Sequence, residues 1–390
     1  MKRILFVEDN ETLLELYSII MSTDPQWQTS LAPNGQEAMK VLTTQAPFNV
    51  VVSDMQMPGM SGIEVLSEVR KLQPQAARII VSGASDQAIA ADSLNCTHLF
   101  ISKPFEAKTL RDTLNRVGSL DAYLKDEKLK GLAGKMRALP SFPKAYMDII
   151  QEMESDKWTI QSIGALIAKD PAIAAKVLQV ANSVAMGQQE QVTDIADAVQ
   201  VLGMNTVKSI ALSTYVYTNF KPGKAKTFSA DALWNHLMKC GTLAKNIMRK
   251  ERAQVAEIEE AYTAGILHDI GKLMLSDSLP QEFEQALALA KKNRIPLFKA
   301  EQDIFGATHT GLAAYLFSLW GLPASIVEAV AFHHEPEKST LKKFSPLTAI
   351  HVADALCDTS GELHLNQTYL QEVKKEDRID EWKDLALEMA

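Results

Sequence analysis

Four short apolar runs near the start of the chain end on residues that can handle a phosphate or a cation. Glu8 and Asp9 follow Ile4–Val7, Asp54 follows Val50–Ser53, Ser82 closes Ile79–Ser82, and Lys103 follows Leu99–Ser102. Carboxylates brought together from separate strands repel one another unless a divalent cation lies between them. Magnesium suits such oxygen donors and leaves room for waters and a phosphate oxygen. A carboxylate held in this way can attack a phosphoryl donor and become an aspartyl phosphate. Lys103 would neutralise the new phosphate, and the Ser82 hydroxyl would hydrogen-bond to it.

A second set lies in the C-terminal half. His236 stands in LWNHLMKCG, His268-Asp269 in GILHDIGKL, His309 in GATHTG, His333-His334 in AFHHE and Asp354 in HVADAL. Imidazoles and carboxylates together can ligate one or two divalent metals, and histidine suits iron, manganese or zinc. Paired metals sharing a carboxylate and a water can split a phosphodiester, since one generates hydroxide and both stabilise the developing charge. Lys272 lies three residues after Asp269, on the same helical face, where it can support a phosphate oxygen. Lys272 and Asp269 are therefore the candidate catalytic residues of this set.

The elements that must position the first set alternate between strand and helix. The four runs are continuous rather than alternating, as strands buried on both faces of a parallel sheet should be. Leu13, Leu14, Tyr17, Ile20 and Met21 follow helical spacing between them, as do Leu110, Leu114 and Val117. Asn34-Gly35 and Pro58-Gly59 punctuate the loops. Repeated βα units imply a doubly wound α/β domain, in which functional groups gather beyond the carboxyl ends of the strands.

After Lys103 the strand pattern stops. Residues 120–139 are charged, with an apolar stripe at Leu129, Leu132, Met136 and Leu139, and read as a helical connector. From Pro140 onward nearly everything reads as helix. Asp170-Pro171 sets a capping side chain before a proline at a first helical position. Gly203 separates Val199–Leu202 from a new helix for which Asn205 is the expected cap. Ile379, Trp382 and Leu385 suggest a peripheral helix near the end. The chain is thus expected to be multidomain: an α/β domain over 1–120, a connector over 121–138 and an all-α domain over 139–390.

Composition narrows the setting. At 390 residues the chain is too long for one ordinary core. Its net charge of −8 argues against a basic nucleic-acid surface or an anionic-membrane footprint. The basic loop KPGKAK (residues 221–226) reads as a solvated connection, and the segment after Gly203 is too poor in basic residues to read DNA. No GxxxxGK[ST] phosphate loop is present. Cys96, Cys240 and Cys357 form no CxxC pair and read as reduced, buried thiols. No signal peptide and no apolar run of about 18 residues is found, so a cytoplasmic location is expected.

The ordered set Glu8-Asp9, SDMQMPGMSG around Asp54, VSG with Ser82 and ISKPF with Lys103 resembles the receiver domain of two-component response regulators. The resemblance implies a flavodoxin-like fold with Asp54 as the phosphoacceptor. It implies Mg²⁺ held by Glu8, Asp9, Asp54 and the backbone carbonyl of Gln56, and Ser82 and Lys103 as phosphate partners. It also implies a cis Lys103–Pro104 peptide, Phe100 as the switch aromatic and a sensor histidine kinase as phosphodonor. Ser61 stands where an aspartate is more usual.

The order His236, His268-Asp269, His309, His333-His334, Asp354 resembles the ligand order of the HD superfamily of metal-dependent phosphohydrolases. HDIGK is similar to the HD-GYP cyclic-dinucleotide phosphodiesterases. The Gly-Tyr-Pro loop is absent, however: HHE runs on into PEKSTLKK, and Ala232 replaces a further acidic ligand. LPSFPKAYMDIIQ, SIGALIAKDPAIAAKVLQVANS, TDIADAVQVLGMNTVKSIAL and WGLPASIVEAVAFHH resemble the HDOD domain, the HD-related output domain, over roughly residues 135–335. Members of that family commonly lack part of the metal set, share no established activity and are regarded as signalling outputs.

Two readings of the helical half follow. It is an interaction module switched by Asp54, or a metal-dependent phosphohydrolase of cyclic dinucleotides or other nucleotides. The expected partners are a histidine kinase, a downstream signalling protein or cyclic nucleotide, and a second protomer, with neither DNA nor membrane. Phosphorylation would act by a population shift that repacks Phe100 and alters the face near Leu99–Phe105.

Overall fold

The structure is a computed structural model that describes residues 2–74, 76–83, 96–108, 110–111, 113–115, 129, 132, 144–155, 157–183, 192–220, 225–358 and 364–389. Two compact units are present, one carrying the chain up to Phe142 and the other most of it from Pro143 onward. Of the connector expected over 121–138, only the buried, helical Leu129 and Leu132 are among the described residues.

The first unit holds a five-stranded parallel sheet of β1 (Lys2–Val7), β2 (Trp27–Ala32), β3 (Val50–Asp54), β4 (Ala77–Ser82) and β5 (Leu99–Ser102). Their spatial order is β2-β1-β3-β4-β5. Helices α1 (Glu11–Ser22), α2 (Gly35–Thr44) and α3 (Gly62–Leu72) connect them. This is the doubly wound, flavodoxin-like order, whose crevice lies where the winding reverses between β1 and β3. Ile4, Leu5, Phe6, Val51, Val52, Ile79 and Ile80 are all buried, which explains their unbroken apolar runs.

Strand β2 is the element that the apolar runs do not show. Its sequence, WQTSLA, lies at the sheet edge and buries only its first and last residues. An edge strand has no need to be apolar on both faces.

Ser61 has a structural task of its own. Its hydroxyl caps α3 by accepting from Glu64 N, and the Glu64 carboxylate accepts from the Ser61 backbone N–H. The next residue must be glycine, because a Cβ at Gly62 would lie 1.9 Å from the Asp54 carbonyl oxygen. The start of α3 is therefore pressed against the end of β3, behind Asp54.

The second unit is helical throughout its described residues. It begins with α4 (Lys144–Glu154), α5 (Ile160–Ile167), α6 (Pro171–Ala181), α7 (Ile195–Leu202) and α8 (Met204–Asn219). These enclose a core that includes Ile163, Ile173, Val177, Val199, Val207 and Ile210. The sequence continues through α9 (Ala230–Lys250), α10 (Val255–Leu267), α11 (Ile270–Ser278), α12 (Pro280–Asn293) and α13 (Leu297–Phe305). It ends with α14 (His309–Leu319), α15 (Ala324–Phe332), α16 (Pro346–Cys357), α17 (Gln367–Glu372) and α18 (Ile379–Leu387). The long α9 packs along α10 and α16 at the centre of this unit.

Asp170 caps α6 as expected, accepting from Ala172 N and Ile173 N ahead of Pro171. Asn205 does not cap α8. The helix starts at Met204, and Gly203 takes the cap position at φ 78° without a side-chain bond. Glycine reaches that conformation without a Cβ clash, so the turn needs no capping side chain. The C-terminal helix is also less peripheral than its composition suggests. Trp382 in α18 is fully buried, and its indole N–H donates to Glu251 Oε1 at 3.3 Å. Among the described residues no helix is long and apolar enough to cross a membrane.

Candidate functional sites

The register of the sheet decides the geometry of the acidic pocket. Val7 pairs with Ser53, Asp54 with Val81 and Ser82 with Ser102, so the residues that leave β1, β3, β4 and β5 emerge side by side. Carboxylate oxygens of Glu8, Asp9 and Asp54 all lie within 4.8 Å of one another. The Lys103 ammonium donates to Asp54 Oδ1 at 2.7 Å and to Glu8 Oε2 at 2.9 Å. The Lys103 backbone N–H donates to the Ser82 carbonyl at 2.7 Å, and the Lys103–Pro104 peptide is cis. Three oxygen donors around one point fit a hard divalent cation such as Mg²⁺.

Tyr17 is a member of this pocket that the motifs do not reveal. Its hydroxyl donates to Glu8 Oε2 at 3.4 Å, and its ring stacks on Phe6 at 4.6 Å. Burial pushes the Glu8 carboxyl above its usual range, with the hydrogen bond from Lys103 opposing that shift. Phe100 pairs with Ile80 through its backbone in β5, and its side chain lies outside the described residues.

In the helical unit the candidate ligands come from five places. His236 is on α9, His268 and Asp269 sit between α10 and α11, and His309 opens α14. His333 and His334 follow α15, and Asp354 is on α16. All seven converge. His236 Nε2 is 3.1 Å from Asp354 Oδ1, His268 Nε2 3.5 Å from the same oxygen, and His334 Nδ1 3.4 Å from Asp354 Oδ2. His309 Nε2 is 3.0 Å and His333 Nε2 3.6 Å from Asp269 Oδ1, while Lys272 donates to Asp269 Oδ2. Gly271 permits this approach, since a Cβ there would meet the His309 carbonyl oxygen at 2.0 Å.

The tautomers follow from the partners of the other ring nitrogens. His268 Nδ1 faces the Gly265 carbonyl at 2.7 Å and His333 Nδ1 the Val330 carbonyl at 2.9 Å. His309 Nδ1 faces Glu301 Oε2 at 2.6 Å. Each of these acceptors requires a donor, so Nδ1 carries a proton and Nε2 is the nitrogen turned inward, the one open to a metal. Those three Nε2 atoms and Asp269 Oδ1 are buried and lack hydrogen-bond partners. Lone pairs aimed at carboxylate oxygens repel them unless a cation lies between. The donor set, imidazole plus carboxylate, suits iron, manganese or zinc.

Charge follows the same layout. Burial alone would raise the Asp269 carboxyl, but Lys272 and His268 outweigh it and hold the group well below the usual range. Burial pushes His333 down to about 4. At His309 burial also acts downward, but Glu301 reverses it and lifts the ring to about 9, so a metal at Nε2 would take the place of a second proton there. Glu301, fully buried on α13, carries no motif that could have pointed to it. His351 is the reverse case. It sits beside Asp354 in sequence, yet both ring nitrogens are bonded, Nδ1 to the His333 carbonyl at 2.7 Å and Nε2 to Asn366 N at 2.9 Å. It positions His333 rather than a metal.

The cluster lines a cavity of 860 Å³ with Asp269, Asp354, His236, His333 and His334 in its wall. Lys239, Lys272 and Arg294 bring positive charge to the same wall, and Phe298 stacks on His334 at 4.9 Å.

Residues 139–336 match the HDOD domain, half of the chain, and residues 4–115 match the response regulator receiver domain. The chain belongs to the HDOD family. Its receiver domain is similar to the chemotaxis protein CheY of Thermotoga maritima, at 30% identity over 117 residues, 30% of this chain and 97% of that one. An uncharacterized protein of Treponema pallidum is 23% identical over 206 residues, 52% of this chain. The chain spans only 39% of that relative's length. An HDOD domain protein from Geobacter sulfurreducens has the same fold, with a TM-score of 0.53 at 20% identity, covering 67% of this chain and 97% of that one.

Proposed function

We propose that the chain is a phosphorelay response regulator in which Asp54 takes a phosphoryl group from a histidine kinase and the HDOD unit holds divalent metal and binds a phosphorylated ligand. An Asp54 carboxylate oxygen attacks phosphorus, the N–P bond of the donor's phosphohistidine breaks, and the imidazole leaves. Mg²⁺ held by Glu8, Asp9, Asp54 and the Gln56 carbonyl would shield the charge on the transferring oxygens. Lys103 exchanges its bond to Asp54 for one to the new phosphate, and the Ser82 hydroxyl takes a further phosphate oxygen.

For the HDOD unit the observation that carries the reading is the set of buried, inward-facing Nε2 atoms around Asp269. A metal pair held there would supply a hydroxide and stabilise charge on a phosphoester. Asp269 lies between the two groups of donors, Lys272 and Arg294 attract the phosphate, and Phe298 offers a ring face. A phosphohydrolase acting on a cyclic dinucleotide or another nucleotide is the chemistry this wall fits. The missing Gly-Tyr-Pro loop favours a second reading, in which the unit binds its ligand or a signalling partner without turnover.

The test is elemental analysis of the purified full chain, joined to hydrolysis assays on cyclic dinucleotides and nucleoside phosphates. Stoichiometric metal with turnover that Asp269→Ala abolishes supports the hydrolase. Metal without turnover leaves the binding reading, and a chain that takes up no metal overturns the metal centre and leaves only an interaction output.

A further inference from the structure

The seven histidine and aspartate candidates are not the only donors at the centre. Cys240 lies one turn after His236 on α9 and is fully buried. Its Sγ is 3.5 Å from His236 Nε2. Donor atoms of His236, Cys240, His268 and Asp354 all lie within 4.8 Å of one another, separate from the group formed by Asp269, His309, His333 and His334.

We propose that Cys240 binds one metal of the centre as a thiolate, making that position a mixed sulfur, nitrogen and oxygen site for a zinc-type ion. This rests on the reading of the centre as a metal site.

Two observations carry it. The first is spacing. A tetrahedral ion with bonds of about 2.3 Å to sulfur and about 2.05 Å to nitrogen or oxygen sets sulfur about 3.6 Å from nitrogen and nitrogen about 3.3 Å from oxygen. The corresponding separations here are 3.5 Å for Cys240–His236, 3.1 Å for His236–Asp354 and 3.5 Å for His268–Asp354. The second is His268 Nε2, fully buried and without a partner, which faces the same group of donors.

Otherwise the Cys240 thiol has only long contacts, such as 3.8 Å to the Ala353 carbonyl. The Cys240 S–H donates to Cys357, and burial holds the thiol well above its ordinary value, which a bound cation would reverse. On binding, the S–H proton leaves to solvent and a sulfur electron pair forms the bond, so no oxidant or reductant is needed. A thiolate shifts preference from magnesium and manganese toward zinc.

Cobalt(II) reads this directly. Full-length chain stripped with a chelator and loaded with Co²⁺ should show visible d–d bands and a near-ultraviolet sulfur-to-metal charge-transfer band. Cys240→Ser should lose the charge-transfer band while keeping d–d absorption and the wild-type circular dichroism. Cys357→Ser should keep both bands. Bound Co²⁺ without the charge-transfer band, or a band that survives Cys240→Ser, overturns the cysteine ligand and leaves the metal reading standing. A chain that binds no Co²⁺ overturns both.

Discussion

The receiver pocket and the histidine centre both gather carboxylates at a point, but they neutralise them differently. In the receiver, Lys103 spans Glu8 and Asp54, and each Glu8 oxygen has a donor, from Asn10 N, Tyr17 or Lys103. Lys103 thus offsets part of the negative charge of Glu8, Asp9 and Asp54 before any ion arrives. In the HDOD unit, Lys272 answers one oxygen of Asp269, while the other and three imidazole nitrogens stay buried and unbonded. An unmade buried hydrogen bond costs about 1–3 kcal/mol. The first site is therefore suited to an ion and a phosphate that come and go, and the second to a resident metal.

The largest expected effect separates the two sites completely. Asp54→Asn should abolish phosphate incorporation from a small-molecule phosphodonor with Mg²⁺, read by mass spectrometry, and leave the metal content of the HDOD unit unchanged. Labelling that persists would move the phosphoacceptor elsewhere.

Next comes Asp269→Ala, which strands the part-buried Lys272 and the facing imidazoles. Removing one partner of a buried pair costs about 3–5 kcal/mol. Denaturant unfolding of the full chain should show a loss of that order in the helical unit, together with loss of metal. A change near zero would mean that the centre is not held together by charge.

Chelation should follow in size. A ligand present at about 100 times its Kd stabilises the folded state by about 2.7 kcal/mol. Calorimetry with and without a chelator should lower the melting of the helical unit by several degrees and leave the receiver transition nearly fixed. An equal shift in both would erase the contrast between them.

Glu301→Gln tests the support behind the centre. It keeps an acceptor for His309 Nδ1 but removes the charge. Loss of such a partner weakens metal affinity by about 10–100-fold. Competition with a metal-sensitive dye measures this, and unaltered affinity would reduce Glu301 to a packing residue.

The smallest effect comes from an ion cluster that needs no metal. Glu251 accepts from Lys375, from Arg378 Nε at 2.8 Å and from Trp382 Nε1 at 3.3 Å. Burial raises its carboxyl, but the bonds from Lys375 and Arg378 prevail and hold it below its ordinary value of 4.5. A depressed carboxyl adds stability above the unfolded value and loses it as pH falls through the folded one. Acid titration should thus release the anchoring of α18 below pH 4.5, seen as Trp382 fluorescence, whether or not metal is present. Dependence on metal would tie this cluster to the centre.

Much of this was legible in residue order. Buried parallel strands announce themselves as apolar runs, and the residues that follow those runs are fixed to one edge of the sheet by its parallel register. Hence Glu8, Asp9, Asp54, Ser82 and Lys103 could be assigned to one place before any coordinates. Strand β2 escaped because an edge strand keeps polar residues, and Tyr17 escaped because a tyrosine at helical spacing reads as core. In the helical unit the order of histidines and of Asp354 marked the ligands. What order could not show is that His351, one turn before Asp354, spends both ring nitrogens on backbone bonds.

The sequence by itself determined the two fold classes, the cap at Asp170, and which residue types stand at the strand ends. All of these depend on neighbours a few residues apart. Tertiary structure decided what depends on distant ones. His236 and Asp354, 118 positions apart, meet because α9 packs along α16. Glu301 reaches His309, the tautomers are set by carbonyls at helix ends, and Cys240 faces the same point as His268. Local periodicity says which face of a helix is buried, and only the packing of helices says which buried faces share a centre.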